Sequence, residues 1–377
     1  MGSDRQVFRT AIIGHTGRGD YGHALDTACL GVPEIRIVAI ADPDPVGRAA
    51  ALARCGVDRG YDDYQEMLER ERPDLAIVAP RWVDQHAAML LAAIQVGAHV
   101  YCEKPFVRTL AEADQIIAAA DRAGIKIAVA HIGRAFPAMA RIRDAVRGGA
   151  VGRLRLIRAF GKCDRRGGGQ DLLVLGTHTL DLMRYFAGDV AWVQAHMTQG
   201  GHDITAADVR EGEEGIGLVA GDAVVSYFAF RNGGAGEFES FVAEDASRES
   251  FVSVALQGTT GTIGIRSLGD RQLYHHRRSA WLPGALDRWT PLELPGLTVE
   301  SPANPAESYP WAHRQLLSDL LGAIAEDREP SSSGRDARAA LEMIAGTYES
   351  QLQGRRVEFP LANRESPLGL RQAPSDG

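Results

Sequence analysis

A chain of 377 residues, 45% hydrophobic and 24% charged, is long enough for two domains that each bury a core of their own. A formal net charge of −8 argues against a nucleic-acid partner, since no basic face dominates such a surface. No apolar run approaches the roughly 20 residues that span a bilayer, and the polar start Met1–Gln6 runs straight into a strand-like segment, so neither a membrane partner nor a signal peptide is expected and the expected location is cytoplasmic.

In chain order, short apolar runs predict buried parallel strands at Phe8–Ile13, Ile35–Ala41, Leu75–Ala79, His99–Cys102 and Lys126–Val129. Between them lie stretches of helical period, Asp84–Val96 and Leu110–Ala123. The second opens on a capping box, Thr109 to Glu112, and closes at Gly124. Strand–helix alternation at this spacing implies right-handed βαβ crossovers, hence an α/β Rossmann domain with a doubly wound parallel sheet over 1–132. After Pro137 the pattern changes. A helix at Pro137–Arg147 is followed by an apolar segment Arg153–Gly161, a glycine-rich loop and a helix near Leu172–Phe186. A β-rich region then runs from about Val190 to Tyr274, with segments Ala223–Arg231, Gly236–Ala243 and Phe251–Gln257. Helices at Trp311–Glu326 and Arg335–Gln351 complete an α+β domain with an open, mostly antiparallel sheet, predicted over 133–365, and residues 366–377 form a loosely ordered tail.

The first strand ends in Gly14-His15-Thr16-Gly17-Arg18-Gly19. The pyrophosphate of a dinucleotide needs a tight turn without side chains in the way, followed by a helix whose N–H groups face the anion. The spacing is Gly-x-x-Gly-x-Gly, so Thr16 takes the place of the usual middle glycine. Asp42 ends the second strand, where a carboxylate accepts hydrogen bonds from ribose hydroxyls and repels a 2′-phosphate. NAD is therefore the expected cofactor, and Arg48 on the next helix keeps NADP open. An N-cap role for Asp42 before Pro43 is compatible with binding.

The four cysteines, Cys29, Cys55, Cys102 and Cys163, are scattered without metal-ligand spacing, so reduced buried thiols and no metal are expected. Lysine occurs only at Lys104, Lys126 and Lys162 among 41 basic residues. Where it persists in so arginine-rich a chain, the position is a candidate for a base that must lose its proton, which arginine cannot do. Lys126 opens a strand and is expected at the surface. His275-His276 beside Arg277-Arg278 reads as a solvated strand end.

Lys104 sits in Glu103-Lys104-Pro105, at the carboxyl end of a strand, the edge where doubly wound sheets bind ligands. With the glycine turn and Asp42, this segment resembles the Gfo/Idh/MocA oxidoreductases, whose strand ends in Glu-Lys-Pro. The resemblance continues through Arg134–Pro137, Arg147–Gly152, Gly176-Thr177-His178-Thr179-Leu180-Asp181 and the closing Thr347–Ser350, Gly354–Val357 and Pro360-Leu361. It implies hydride transfer between NAD and a secondary alcohol of a sugar, cyclitol or related polyol. Lys104 and His178 would handle the proton, Asp181 would orient His178, and Pro105 would be cis. Beside a positively charged nicotinamide an ammonium is disfavoured, which suits Lys104 to acid–base work; Glu103 helps fix the turn. Gly14, Thr16, Gly17, Arg18, Gly19, Asp42, Pro80, Trp82, His86, Glu103 and Lys104 are the candidate cofactor residues. The loop holding Pro80, Arg81, Trp82 and His86 is two residues longer than the family's usual one, so Trp82 is a candidate pocket wall. Arg134, Lys162, Asp164, Asp171 and His178 are the candidates for the substrate, with Lys162 and Asp164 preceding a glycine-rich loop, Gly167–Gly169.

The chain departs from the family at Val174, which stands where an aspartate precedes the glycine and histidine. Valine moves no proton, and Asp171, seven residues before His178 and about 10 Å away along a helix, is no direct substitute. Two alternatives therefore stay open: a redox-neutral NAD-dependent glycosidase or lyase that oxidises a sugar hydroxyl transiently, and a non-catalytic sugar-sensing regulator. The sheet of the second domain has a face that needs covering, so a homo-oligomer is expected.

Overall fold

The structure is a computed structural model that describes residues 6–245, 252–266, 272–278, 288–293, 302 and 304–369. The chain divides into two compact units. One comprises Met1–Ala135, Glu214–Ile216 and Ser301–Arg338; the other comprises Phe136–Glu213, Gly217–Glu300 and Ala339–Gly377.

The first unit is built on a six-stranded parallel sheet: β1 Phe8–Ile13, β2 Ile35–Ala41, β3 Gly60–Tyr61, β4 Leu75–Val78, β5 His99–Cys102 and β6 Ile127–Val129, in the order β3-β2-β1-β4-β5-β6. The strands are continuous apolar runs because helices cover both faces. Strand order reverses between β1 and β4, which makes their carboxyl ends the topological switch point. Of the helices, α1 spans Leu25–Cys29, α2 Pro45–Cys55, α3 Tyr64–Glu71, α4 His86–Gln95 and α5 Leu110–Ala123. Local chemistry sets their ends. The Asp44 carboxylate accepts from Gly47 N at the start of α2, Asp63 caps α3, and the Thr109–Glu112 capping box opens α5, which Gly124 closes in the left-handed region. The helix after the glycine turn begins only at Leu25, because Asp20 (φ 52°) and Ala24 (φ 69°) turn the chain through the left-handed region first.

The next helix along the first unit, Pro305–Glu326, corrects the domain assignment. Its Leu316, Leu317, Leu320 and Leu321 belong to the same buried cluster as Ile12, Ile40, Leu75, Ile77 and Tyr101. Residues 301–338 thus go with the Rossmann unit, whereas the sequence assigns them to a domain over 133–365. An apolar helix stripe carries no label for the core it will join, so only the packing reveals it.

The second unit carries α6 Pro137–Arg147, as expected, and a ten-stranded sheet. Its strands include β7 Leu154–Phe160, β8 Val190–Gln199, and then the segments Ala223–Phe230, Ala235–Phe241 and Ser253–Gly258. Leu154–Phe160 pairs in parallel with Ala235–Phe241 and antiparallel with Ser253–Gly258, so the sheet is mixed and mostly antiparallel. The single helix expected near Leu172–Phe186 is two, α7 Gly169–Val174 and α8 Gly176–Ala187. Gly169 opens α7 because a Cβ there would lie 2.1 Å from the Ala220 carbonyl oxygen. The last helix, Gly334–Gln353, carries the unit boundary between 338 and 339. His276, expected at a solvated strand end, is buried with its ring 5.6 Å from that of Trp289.

All four cysteines are buried and free; burial drives their thiol pKa values up, to about 11 for Cys55. No helix among the described residues is long and apolar enough to cross a membrane.

Leu320→Ala removes a fully buried side chain from the Rossmann core and is expected to cost about 2–5 kcal/mol. Urea denaturation checks this; a loss under about 0.5 kcal/mol would contradict the placement of the helix in that core.

Candidate active site

β1 delivers the chain to Gly14 at the switch point. A Cβ on Gly14 would lie 2.3 Å from a Tyr21 ring carbon, and one on Gly19 would lie 2.4 Å from Arg81 N. Gly17 and Gly19 have φ of 82° and 91°, a region where L side chains are strained. Thr16 is tolerated because it turns toward Asp42. Its N–H donates to both carboxylate oxygens at 3.1 Å and its hydroxyl donates to Oδ2 at 2.7 Å. Asp44 N–H donates to Oδ1 at 3.0 Å. Room for Thr16 comes from Gly47, where a Cβ would overlap its hydroxyl.

Asp42 is 0% exposed and so anchors the glycine turn to the end of β2. It is more than the expected ribose acceptor, because any hydroxyl reaching it competes with Thr16. Arg48 Nη1 donates to the Asp42 carbonyl at 2.5 Å. Next to this anchor lies a cavity of about 220 Å³, whose lining includes Gly14, His15, Pro43, Asp62, Asp63 and Tyr64. The Asp62-Asp63 pair was not singled out from sequence, because only the pairing of β2 with the two-residue β3 brings it there.

Arg18 reaches across the switch point to the loop after β4. Its Nη2 lies 2.5 Å from Asp84 Oδ2, and its guanidinium sits 4.2 Å from the centre of the Trp82 ring. The buried Nε atoms of Arg18 and Arg81 have no hydrogen-bond partner among the described residues. Side-chain-free turn glycines, an adjacent cavity and unsatisfied guanidinium N–H groups suit the diphosphate and adenosine of a dinucleotide. His86, expected to touch the cofactor, is instead wholly buried. Its Nε2 lies 2.7 Å from the Pro80 carbonyl oxygen, and its Nδ1 lies 3.0 Å from those of Pro105 and Phe106. It braces two loops, and Pro80 enters that brace through its carbonyl.

Glu103 follows β5 and is 1% exposed. Its Oε1 accepts from Lys104 N at 3.0 Å, and its Oε2 lies within hydrogen-bond reach of His23 N and Nδ1 at 3.3 and 3.2 Å. Burial alone would raise its pKa; the charge and hydrogen bond of His23, and the charge of Lys104, outweigh burial and hold the carboxyl well below the usual range. Lys104 is 7% exposed and is joined to Pro105 by a cis peptide. His23 was missed from sequence, since a histidine eighty positions away gives no sign that it meets Glu103.

In the second unit, His178 and Asp181 lie three residues apart on α8, both buried, with Val174 buried at the end of α7. Asp171 is corrected from a substrate ligand to a structural carboxylate. It is 1% exposed, accepts from Ser240 Oγ at 2.6 Å and Cys163 N at 3.4 Å, and burial raises its pKa. Asp164 is held by Arg166 at 2.9 Å and Lys162 at 3.0 Å. Burial opposes its ionisation, but the hydrogen bonds from Arg166 and then Lys162 keep the carboxyl well below the usual range. Lys162 remains 43% exposed at its side chain, open to a ligand. Arg134 is corrected as well. It lies in the first unit, its side chain almost fully covered, donating to Ser331 O at 2.8 Å and paired with Asp336 at 3.2 Å.

Two family models match: the oxidoreductase family's NAD-binding Rossmann fold over residues 8–131 and its C-terminal alpha/beta domain over 162–359. The chain belongs to the Gfo/Idh/MocA oxidoreductase family. A D-apiose dehydrogenase of Paraburkholderia graminis is 28% identical over 352 residues, covering 88% of this chain and 85% of the relative. A levoglucosan dehydrogenase of Pseudarthrobacter phenanthrenivorans is 27% identical over 287 residues, 67% of this chain and 72% of that one. The solved structure of a levoglucosan dehydrogenase in complex with NADH and levoglucosan superposes with a TM-score of 0.73 at 22% identity, covering 94% of this chain and 100% of that one. Membership in the Gfo/Idh/MocA family makes this chain an oxidoreductase that uses a nicotinamide dinucleotide.

A cation–π contact and an ion pair of this kind together hold about 1–2 kcal/mol. Arg18→Ala and Trp82→Ala are therefore each expected to speed NADH release about 5- to 30-fold, read by stopped-flow nicotinamide fluorescence. Unchanged release in both would show that the contact does not cross the cofactor.

Proposed function

We propose that this protein is an NAD-dependent dehydrogenase acting on a secondary alcohol of a sugar, cyclitol or related polyol. The observation that carries the reading is Lys104, one of three lysines in the chain, almost fully buried beside an ionised Glu103 at the carboxyl edge of the sheet that bears the glycine turn. Relatives named D-apiose dehydrogenase and levoglucosan dehydrogenase support the substrate class.

NAD over NADP is supported by charge. Asp62 and Asp63 line the cavity beside buried Asp42, and Arg48 Nη1 donates to the Asp42 carbonyl. A 2′-phosphate there meets carboxylates rather than a cation.

When bound, the dinucleotide supplies the hydride acceptor, and the protein's work is proton management and orientation. The turn of Gly14, Thr16, Gly17 and Gly19, with Arg18 and Trp82, holds the dinucleotide. Lys104 Nζ takes the proton of the substrate hydroxyl as its carbon gives up hydride. His178 is the second proton-handling group, with Asp181 fixing its tautomer. Lys162 serves the polyol, its charge balanced by Asp164. The enzyme works in the cytoplasm, in keeping with four free thiols. It assembles as a homo-oligomer through the open sheet, whose exposed Val225 and Tyr227, the latter against Trp192, form an apolar patch.

A second reading is favoured by one observation. Val174 is buried where the family carries aspartate, and a site so altered suits transient oxidation, with the hydride returned after a neighbouring bond is broken. The two readings separate in one experiment. Protein loaded with NAD is mixed with D-apiose, levoglucosan, inositols and glycosides, with absorbance followed at 340 nm and products by mass spectrometry. A sustained rise is expected, reduced about 10²- to 10⁴-fold in Lys104→Met while NADH still binds. Cleaved glycoside without net NADH would replace the dehydrogenase reading with the redox-neutral one, and no turnover of any compound would leave only the sensor.

A further inference from the structure

Glu103 needs a counter-charge, and its neighbours decide which base supplies it. Its carboxylate is wholly buried and ionised, and a buried charge requires a counter-charge. The groups around it come from four places. On β5 and its continuation stand Tyr101, Cys102 and Lys104; burial pushes the phenol and thiol far up, so both are neutral. On the helix Pro305–Glu326 stand Tyr309, also raised by burial, and His313, which burial drives down to about 4 and which therefore carries no charge near neutrality. His313 faces the Tyr101 hydroxyl at 2.7 Å. Near Cys102, His86 is held between backbone carbonyls. From the segment before α1 comes His23. Among the described residues, His23 and Lys104 are the groups beside Glu103 that can carry positive charge.

The geometry favours His23. Its Nδ1 lies 3.2 Å from Glu103 Oε2, and its backbone N–H adds a second donor to that oxygen. The preceding glycine clears the space, since a Cβ on Gly22 would lie 2.7 Å from the same oxygen. The imidazole stacks on Tyr309 with ring centres 5.1 Å apart. Its side chain is 29% exposed, against 1% for that of Glu103.

We propose that His23 is a positioning residue that supplies the counter-charge of Glu103, leaving Lys104 able to release its proton. One buried carboxylate shared by two bases titrates as a coupled set. With His23 charged, Glu103 is neutralised and Lys104 reaches its amine form. Without His23, the lysine ammonium is the only counter-ion left and holds its proton more tightly. The only bonds that change are N–H bonds: the one proton shared beside Glu103 sits on the His23 imidazole instead of the Lys104 amine, and no electrons are transferred. The inference rests on Lys104 as the base of the proposed reaction, but its test needs no substrate.

The chain has three lysines, so protein carrying [¹³Cε]lysine gives three resolvable titrations, with Lys104 assigned by the loss of its signal in Lys104→Arg. The midpoint is expected to rise by about 0.5–1 pH unit in His23→Phe, which keeps the ring on Tyr309, and equally in His23→Asn, which keeps an N–H donor but no charge. It is expected to fall in Glu103→Gln, and adding His23→Phe to that variant should move it no further. NADH binding and thermal melting verify that each variant is folded. Midpoints within about 0.2 pH unit of the parent in both His23 variants, a rise confined to His23→Phe, or an undiminished rise on the Glu103→Gln background would each overturn the proposal. If the midpoints shift but no polyol is oxidised, the dehydrogenase reading fails and the His23 assignment stands. Polyol oxidation with unmoved midpoints gives the reverse.

Discussion

The Asp42 carboxylate, sealed from water at the end of β2, accepts the Thr16 N–H, the Thr16 hydroxyl and the Asp44 N–H. A buried charge without such donors would be driven to protonate or to move, so this carboxylate and the turn that satisfies it define each other. Around that anchor, Gly14 yields its space to Tyr21, Gly47 to Thr16 and Gly19 to the backbone of Arg81. The loop after β4 then closes on Arg18 through Trp82 and Asp84. Each close approach has a local cause, since a neighbouring group fills the space that a Cβ would take.

The same physics recurs after β5. Glu103 is another sealed carboxylate at the carboxyl end of a strand, satisfied by the Lys104 N–H on one side and by His23 on the other. At β2 the buried charge fixes a turn; at β5 it sets the field around a lysine. In both cases the sheet supplies rigid strand ends and the loops supply the donors, as doubly wound folds do wherever ligands bind.

Much of this was legible in the residues. Continuous apolar strands, the Thr109–Glu112 capping box and the Glu103-Lys104-Pro105 motif are local signals, and β1, β2, β5 and α5 fall at the residues expected. What escaped was non-local. The helix Pro305–Glu326 looks like any amphipathic helix until its leucines meet Ile12 and Tyr101. Asp171 has the residue type of a ligand, yet its oxygen is taken up by Ser240, sixty-nine positions away. His86 likewise belongs to the carbonyls of Pro80 and Pro105. A polar residue's type states what it can bond, and only the tertiary structure states whether that capacity is already used.

The dinucleotide site organised by Asp42 is tested most directly by calorimetric titration of the purified protein with NADH and, separately, NADPH at fixed ionic strength. The proposed preference for NAD, resting on Asp62 and Asp63 in the cavity beside Asp42, predicts NADH binding at least about 10-fold tighter, a difference of about 1.4 kcal/mol. Equal affinities, or tighter NADPH, would contradict the account, because Arg48 would then have to leave the Asp42 carbonyl and the carboxylates would not be setting the choice of cofactor.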